Sequence, residues 1–152
     1  MKTLVVISDS HGNVDGIKSL DKLFEQCDYI FHLGDYCIDC NYIKSKYEDK
    51  LYSVKGNCDF GGSPIYVQIE DVKVMAIHGN KYGVKSSLLP LMLKAKEEGC
   101  GLVLFGHTHN AFTSTDNGIT MVNPGALSKR NGSYSVITID KATITVQNKN
   151  II

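Results

Sequence analysis

Residues 3–13 read TLVVISDSHGN, an apolar, β-branched run that stops at Asp9-Ser10-His11-Gly12. Thr3–Ile7 has the length and composition of a buried strand. Asn13 stands where a helix N-cap is expected. Ile17, Leu20, Phe24 and Cys27 follow at the three- and four-residue steps of one amphipathic helix. The run Leu4–Ile7 is only four residues long, well short of the roughly 7–15 apolar residues of a signal-peptide core.

The same grammar repeats downstream. Tyr29–Leu33 reads as a second strand and ends at Gly34-Asp35. A polar, helical segment is expected over 39–48, and Leu51–Lys55 forms a third strand closed by Gly56. This β-α-β-α-β opening implies a parallel sheet with right-handed crossovers. Ile65–Glu70 and Val72–Ile77 then read as a hairpin around Asp71. Ser86 or Ser87 is placed to cap a helix through Glu98, with Leu88, Leu91, Met92 and Ala95 as its buried stripe, Pro90 in its first turn and Gly99 after it. Leu102–Phe105 is another buried strand. Turn signals at Asp116-Asn117-Gly118 and Asn131-Gly132 separate antiparallel strands expected near 111–115, 119–122, 133–139 and 142–147. With no repeat or linker, the chain reads as one α/β domain over residues 1–152, with a mixed sheet or two packed sheets.

The balance of charge narrows the partners. Among 152 residues, 16 Lys+Arg face 16 Asp+Glu, a net charge of zero. A dedicated nucleic-acid surface would carry a basic excess, and attraction to anionic membranes would need the same. No stretch approaches the ~20 apolar residues of a membrane span, so a cytoplasmic protein is expected. Five Cys, an odd number in a chain able to build a core, argue against a disulfide framework.

Metal-competent side chains are concentrated just after the apolar strands. They form Asp9-Ser10-His11-Gly12, Gly34-Asp35, Gly56-Asn57-Cys58-Asp59, His78-Gly79-Asn80 and Gly106-His107-Thr108-His109. In open α/β sheets the loops beyond the carboxyl ends of the strands are where ligands bind. Oxygen donors from Asp and Asn mixed with imidazole nitrogen suit Mn²⁺, Fe²⁺, Zn²⁺ or Ni²⁺ better than Ca²⁺ or Cu⁺. Seven such residues suffice for two ions sharing a carboxylate, and ions about 3.5–4 Å apart are the usual device for phosphoester hydrolysis.

The ordered set D-x-H, GD, GN-x-D, HG and GHTH resembles the calcineurin-like metallophosphoesterase superfamily, and within it the small prokaryotic phosphodiesterases without added domains. The resemblance runs from Thr3 to about Arg130 and includes Asn123-Pro124-Gly125. It implies a four-layer αββα sandwich and two divalent ions, Mn²⁺ foremost, with Ni²⁺, Fe²⁺ or Zn²⁺ as alternatives. Asp9, His11 and His109 would hold one ion. Asn57, His78 and His107 would hold the other, and Asp35 would bridge them. Asp35, Asn57 and His107 would take part in the reaction, in which a metal-bridging hydroxide attacks phosphorus in line with the leaving oxygen. The metals, Asn57 and nearby backbone N–H groups would stabilise the charge that develops.

The expected partner is a small-molecule phosphoester, and a homodimer is the expected assembly. The competing reading is a non-catalytic protein-binding scaffold, the role of the retromer subunit in this superfamily, and the complete ligand set weighs against it. Two positions depart from the family pattern. Cys58 stands where many members have a His near the leaving group, and Asn80 replaces the second His of an HGH motif. A thiol is a poor general acid there, so diesters with acidic leaving groups should be favoured over alkyl monoesters. Asp59, Cys58 and His32 are expected behind the ligands, orienting them. Tyr36 and Tyr82 are candidates for the border of a substrate pocket, and Lys129-Arg130 either meet a phosphate or are solvated turn charges. Cys37 and Cys40 invite a zinc or redox reading, but no second CxxC exists, so two ordinary thiols are expected.

Overall fold

The structure is a computed structural model that describes residues 1–35, 37–56, 63–128 and 131–151, with Cys37 by its backbone alone. One sheet contains β1 (Lys2–Ile7), β2 (Tyr29–His32), β3 (Leu51–Ser53), β9 (Ser133–Asp140) and β10 (Thr143–Asn150), in the order β10-β9-β1-β2-β3. The other contains β4 (Ile65–Ile69), β5 (Val72–Ile77), β6 (Leu102–Phe105), β7 (Ala111–Asp116) and β8 (Ile119–Pro124), in the order β4-β5-β6-β8-β7. Both are mixed. β1, β2 and β3 run parallel, as do β5, β6 and β8, while β9, β10, β4 and β7 pair antiparallel.

The layering follows from side-chain direction along each strand. Successive residues of a strand point to opposite faces. In β1, Leu4 and Val6 join Val74, Ala76, Leu102 and Leu104 in a core between the sheets. Val5 and Ile7 point the other way, onto Ile17, Leu20, Phe24 and Ile43. These come from α1 (Val14–Lys18), the turn after it, α2 (Asp21–Gln26) and α3 (Cys40–Tyr47). On the outer face of the second sheet, Met75, Ile77, Val103 and Phe105 cluster with Leu91 and Ala95 of α4 (Leu89–Glu97). The result is the αββα sandwich. Strands covered on both faces read as continuous apolar runs, which explains LVVI and LVLF. Leu104 has no exposed surface, so Leu104→Ala would open a void costing about 2–5 kcal/mol.

Several boundaries differ from the expectations. The single helix expected after Asn13 is two, α1 and α2. The Ser19 hydroxyl donates to the Gly16 carbonyl at 2.6 Å, and the Leu20 N–H donates to Ile17 at 3.0 Å. These short-range bonds close α1 one turn early. Asn13 does cap α1, its Oδ1 accepting from the Gly16 N–H at 3.0 Å. β3 stops at Ser53 rather than Lys55, although the Val54 N–H still donates to the His32 carbonyl at 3.0 Å. α4 begins at Leu89 with Pro90 in its first turn, and Ser87 Oγ accepts from the Leu89 N–H at 3.1 Å. β10 continues to Asn150 instead of 147, pairing Asn150 with Ser133. Its last four residues are exposed and polar on an edge strand, so no apolar pattern announces them.

Candidate metal centre

Each described candidate ligand lies just beyond the carboxyl end of a parallel strand. Asp9 and His11 follow β1, Asp35 follows β2, His78 follows β5, and His107 and His109 follow β6. The two sheets deliver them to one crevice because their loops are tied together. The Asp9 N–H donates to the Gly34 carbonyl at 2.9 Å, and the Gly106 N–H to the His78 carbonyl at 3.0 Å. Across the sheets, the His107 N–H donates to Asp9 Oδ2 at 3.1 Å. Glycine is required where these loops touch. A Cβ on Gly106 would lie 2.1 Å from Ser8 Oγ, and one on Gly34 would lie 2.6 Å from the backbone of Gly56.

Five of the six described candidates have left-handed backbone: Asp9 (φ 53°), His11 (41°), Asp35 (58°), His107 (70°) and His109 (63°). Non-glycine residues seldom adopt this region, and such strain clusters at functional sites.

The donor atoms form two overlapping groups. One is Asp9, His11, Asp35 and His109; the other is Asp35, His78 and His107, and Asp35 belongs to both. In each group the potential ligand atoms lie within 4.8 Å of one another. Asp35 Oδ2 is 3.6 Å from His11 Nε2 and 3.5 Å from His78 Nε2. His109 Nε2 is 3.2 Å from Asp9 Oδ1. The side chains of Asp9 and His78 have no exposed surface, while His11 and His109 are 27% and 38% exposed. The carboxylates and His78 therefore form a floor, and His11 and His109 form the mouth.

The chemistry of these atoms fits a cation. Asp9 Oδ2 accepts from Ser8 Oγ at 2.5 Å. Its other oxygen, Oδ1, is buried and accepts no hydrogen bond among the described residues. A buried carboxylate oxygen with no donor is costly unless something positive meets it. His78 Nδ1–H donates to the Leu33 carbonyl at 2.7 Å, which fixes the tautomer that turns Nε2 into the site. Burial pushes the His107 imidazole below its ordinary range, and His78 and Lys85 add to the effect. That keeps it neutral, as ligation requires.

Behind the ligands, the Gly34 N–H donates to His32 Nδ1 at 3.2 Å. The proton of His32 therefore sits on Nε2, 2.9 Å from Ser10 Oγ. Ser10 donates to Asp39 Oδ2 at 2.7 Å, and the same oxygen accepts from the Gly12 N–H at 2.7 Å. This chain braces the loop that carries Asp9 and His11. His32 thus joins a network behind the candidate ligands, while Asp39 was hidden inside the Cys37–Cys40 motif. Neither donor group includes Cys40. A second residue beyond the sequence reading is Asn123, fully buried. Its amide donates to the Gly106 carbonyl at 3.1 Å and to Thr108 Oγ1 at 2.9 Å, and its oxygen accepts from the Gly125 N–H at 2.8 Å. The Asn-Pro-Gly segment was the available signal.

Tyr82, half-buried, packs against the core beneath α4. Asn80 opens the short 3-10 turn after Gly79. Asn57, Cys58, Asp59, Tyr36, Lys129 and Arg130 lie outside the described residues, as does the Cys37 side chain. Among the described residues no helix is long and apolar enough to cross a membrane.

A two-sheet αββα fold with Asp and His donors gathered above its parallel strands defines a metallophosphoesterase-type domain. The chain belongs to the calcineurin-like phosphoesterase superfamily, whose domain model matches residues 1–143, and the family is metal-dependent. It is 30% identical to the probable metallophosphoesterase YsnB of Bacillus subtilis, over 95% of this chain and 88% of that protein. The crystal structure of a Streptococcus pneumoniae protein described as a predicted phosphoesterase superposes with a TM-score of 0.81 at 26% identity, covering 97% of this chain and 88% of that one. An archaeal phosphodiesterase (TM-score 0.76, 18% identity, 96% and 99% covered) shares the fold. So does zinc-bound Vps29 from Entamoeba histolytica (0.76, 18%, 98% and 98%).

Proposed function

We propose that the protein is a dinuclear metal-dependent phosphodiesterase acting on a small-molecule diester, with Mn²⁺ as the preferred ion. The observation that carries this reading is the membership of Asp35 in both donor groups. A carboxylate shared between two ligand sets is what a bridged metal pair needs. Bound divalent ions supply an acidified water as nucleophile and neutralise charge on phosphoryl oxygens.

The chain's own residues do the rest. Asp9 and Asp35 hold negative charge at the floor, where burial strengthens their pull on a cation. His78, its Nδ1–H held by the Leu33 carbonyl, presents a lone pair at Nε2. His107 stays neutral at Nδ1 for the same reason that its proton affinity is depressed. His11 and His109, at the exposed mouth, border the path of the phosphate. Asn57 is assigned to the second ion with His78 and His107. With Cys58 in place of an imidazole, leaving groups must depart without strong acid assistance.

The test is a panel of esters assayed with Mn²⁺, Ni²⁺, Zn²⁺ and Mg²⁺. An activated aryl diester should turn over fastest with Mn²⁺. An alkyl monoester should be slower by roughly a hundredfold, the scale of a missing general acid. Equal turnover of the two would overturn the diester preference. Two bound metal ions per chain with no hydrolysis of any ester would favour the scaffold reading that the fold of Vps29 suggests.

A further inference from the structure

Beside the donor groups, on the α4 side of the second sheet, lies a cavity of about 390 Å³. Val84, Lys85 and Leu88 approach it from the segment before α4, and Phe105 from the end of β6. Thr108 and Phe112 close it from the ligand loop and from β7. Thr108 stands in the chain between His107 and His109, so the loop that carries two candidate ligands is also a wall of the cavity. Its volume falls in the ~300–1,000 Å³ range of small-molecule sites.

The accessible wall carries one aromatic ring, Phe112, beside Lys85, Asn110 and Ala111. Phe105 and Phe112 meet edge to face, with ring centroids 6.4 Å apart and planes at 63°. Phe105 is buried, but Phe112 is 40% exposed, on an edge strand whose other residues include Thr113, Ser114 and Thr115. An aromatic ring left half in water beside a cavity has apolar area still to bury, and it favours another ring in an offset or edge-on arrangement. Lys85, exposed at the rim, adds a cation suited to the face of a π system. The other flank of the same loop is different in kind. There a groove of about 240 Å³ is lined by His109, Asn131, Ser133, Asn148 and Asn150. Polar groups on one flank and phenylalanine on the other give the phosphate two unlike neighbours.

We propose that the cavity at Phe112 binds a planar aromatic ring carried on one ester arm of the substrate phosphate, which makes the substrate an aryl or nucleoside phosphodiester. The proposal rests on the phosphodiesterase reading above. Phe112 is then a specificity residue rather than a catalytic one.

The experiment is calorimetric titration of the Mn²⁺-loaded protein with two pairs of probes. Phenylphosphonate is compared with methylphosphonate, and thymidine 5′-monophosphate with ribose 5-phosphate. The ring-bearing member of at least one pair should bind about three- to tenfold more tightly, the scale of one aromatic pair. The pair that shows the effect tells whether the ring is attached directly or through a sugar. Phe112→Ser should abolish the preference and leave methylphosphonate and ribose 5-phosphate binding unchanged, and Phe112→Tyr should retain it. No ring preference in either pair, a preference indifferent to Phe112→Ser, or its loss in Phe112→Tyr would each overturn the proposal. Mn²⁺ uptake is measured first. A protein that takes up no Mn²⁺ overturns both readings, whereas one that takes up Mn²⁺ without discriminating rings overturns the cavity alone.

Discussion

His78 and His107 meet nitrogen to nitrogen, Nε2 of the first 3.1 Å from Nδ1 of the second. They come from β5 and β6, neighbouring parallel strands, and their rings stand edge to face at 70°. Because His78 spends its proton on the Leu33 carbonyl, the facing nitrogens are joined either by a proton on His107 or by a cation taking both lone pairs. Asp35 Oδ2, 3.5 Å from His78 Nε2, supplies the charge that draws the cation.

Asp35→Asn should therefore lose metal and activity together. The amide keeps the shape but removes the shared negative charge. Replacing even a residue that only supports a ligand costs 10–100-fold in affinity or activity. A fall of about a hundredfold or more is expected in both Mn²⁺ content by elemental analysis and turnover of an aryl diester. A variant with full metal and full activity would end the bridging assignment.

Metal should also stabilise the fold. Asp9 Oδ1 is buried without a hydrogen-bond donor among the described residues, and binding to the native state alone adds about 2.7 kcal/mol at a hundred times Kd. For a chain of this size that raises the thermal midpoint by roughly 5–10 °C. Differential scanning fluorimetry with Mn²⁺ and then EDTA checks it, and an unchanged midpoint would contradict a native-state site.

Asp39→Ala removes the acceptor of both Ser10 Oγ and the Gly12 N–H. The expected result is a Mn²⁺ affinity lower by about 10–100-fold, as for other residues that orient ligands. Turnover at saturating metal should recover most of its value. Isothermal titration separates this from general destabilisation, since Mn²⁺ affinity should fall while the native circular dichroism is kept.

Protonation of His107 should be visible in the metal-free protein. Its folded pKa lies below the ordinary 6.5, through burial first and then His78 and Lys85. As pH falls through about 6.5 the unfolded chain takes up a proton that the native chain refuses, so stability declines with acidification. The contribution is fully present above the unfolded pKa and is lost as pH falls through the folded one. Urea midpoints between about pH 7.5 and 5 should fall, and His107→Asn should flatten the slope. An identical slope in the variant would show that other groups carry the effect.

Asn123→Ala removes two hydrogen bonds to the loop that holds His107 and His109, and the acceptor of the Gly125 N–H. Leaving such buried groups unsatisfied costs about 1–3 kcal/mol. A lowered urea midpoint is expected together with weaker Mn²⁺ binding. Weaker binding at unchanged stability would instead mark Asn123 as a purely local brace.

The parts of this site that were legible in the sequence are those written in strand-end chemistry. LVVI before Asp9 and LVLF before Gly106 are apolar on both faces, and the polar residues after them have no place in the core. The supports were harder to see. Asp39 sits between two cysteines that draw attention to themselves, and its role depends on a Ser10 contact 29 positions away. The break between α1 and α2 rests on Ser19 turning back to Gly16, which helical spacing alone does not reveal. The left-handed backbone at Asp9, His11, Asp35, His107 and His109 was equally invisible, because Asp and His are only enriched in this region and the surrounding fold decides where they adopt it.

That backbone bears on the history of the fold. Each left-handed candidate ligand costs folding about 1–3 kcal/mol, part of which a glycine there would relieve. A lineage released from functional constraint could therefore relax the strain by substitution at those positions whose side chains brace nothing else. Selection for robustness alone would then erode the ligand set while preserving the sandwich beneath it. Retention of strained backbone at five candidate ligand positions is thus a mark of functional constraint on that crevice.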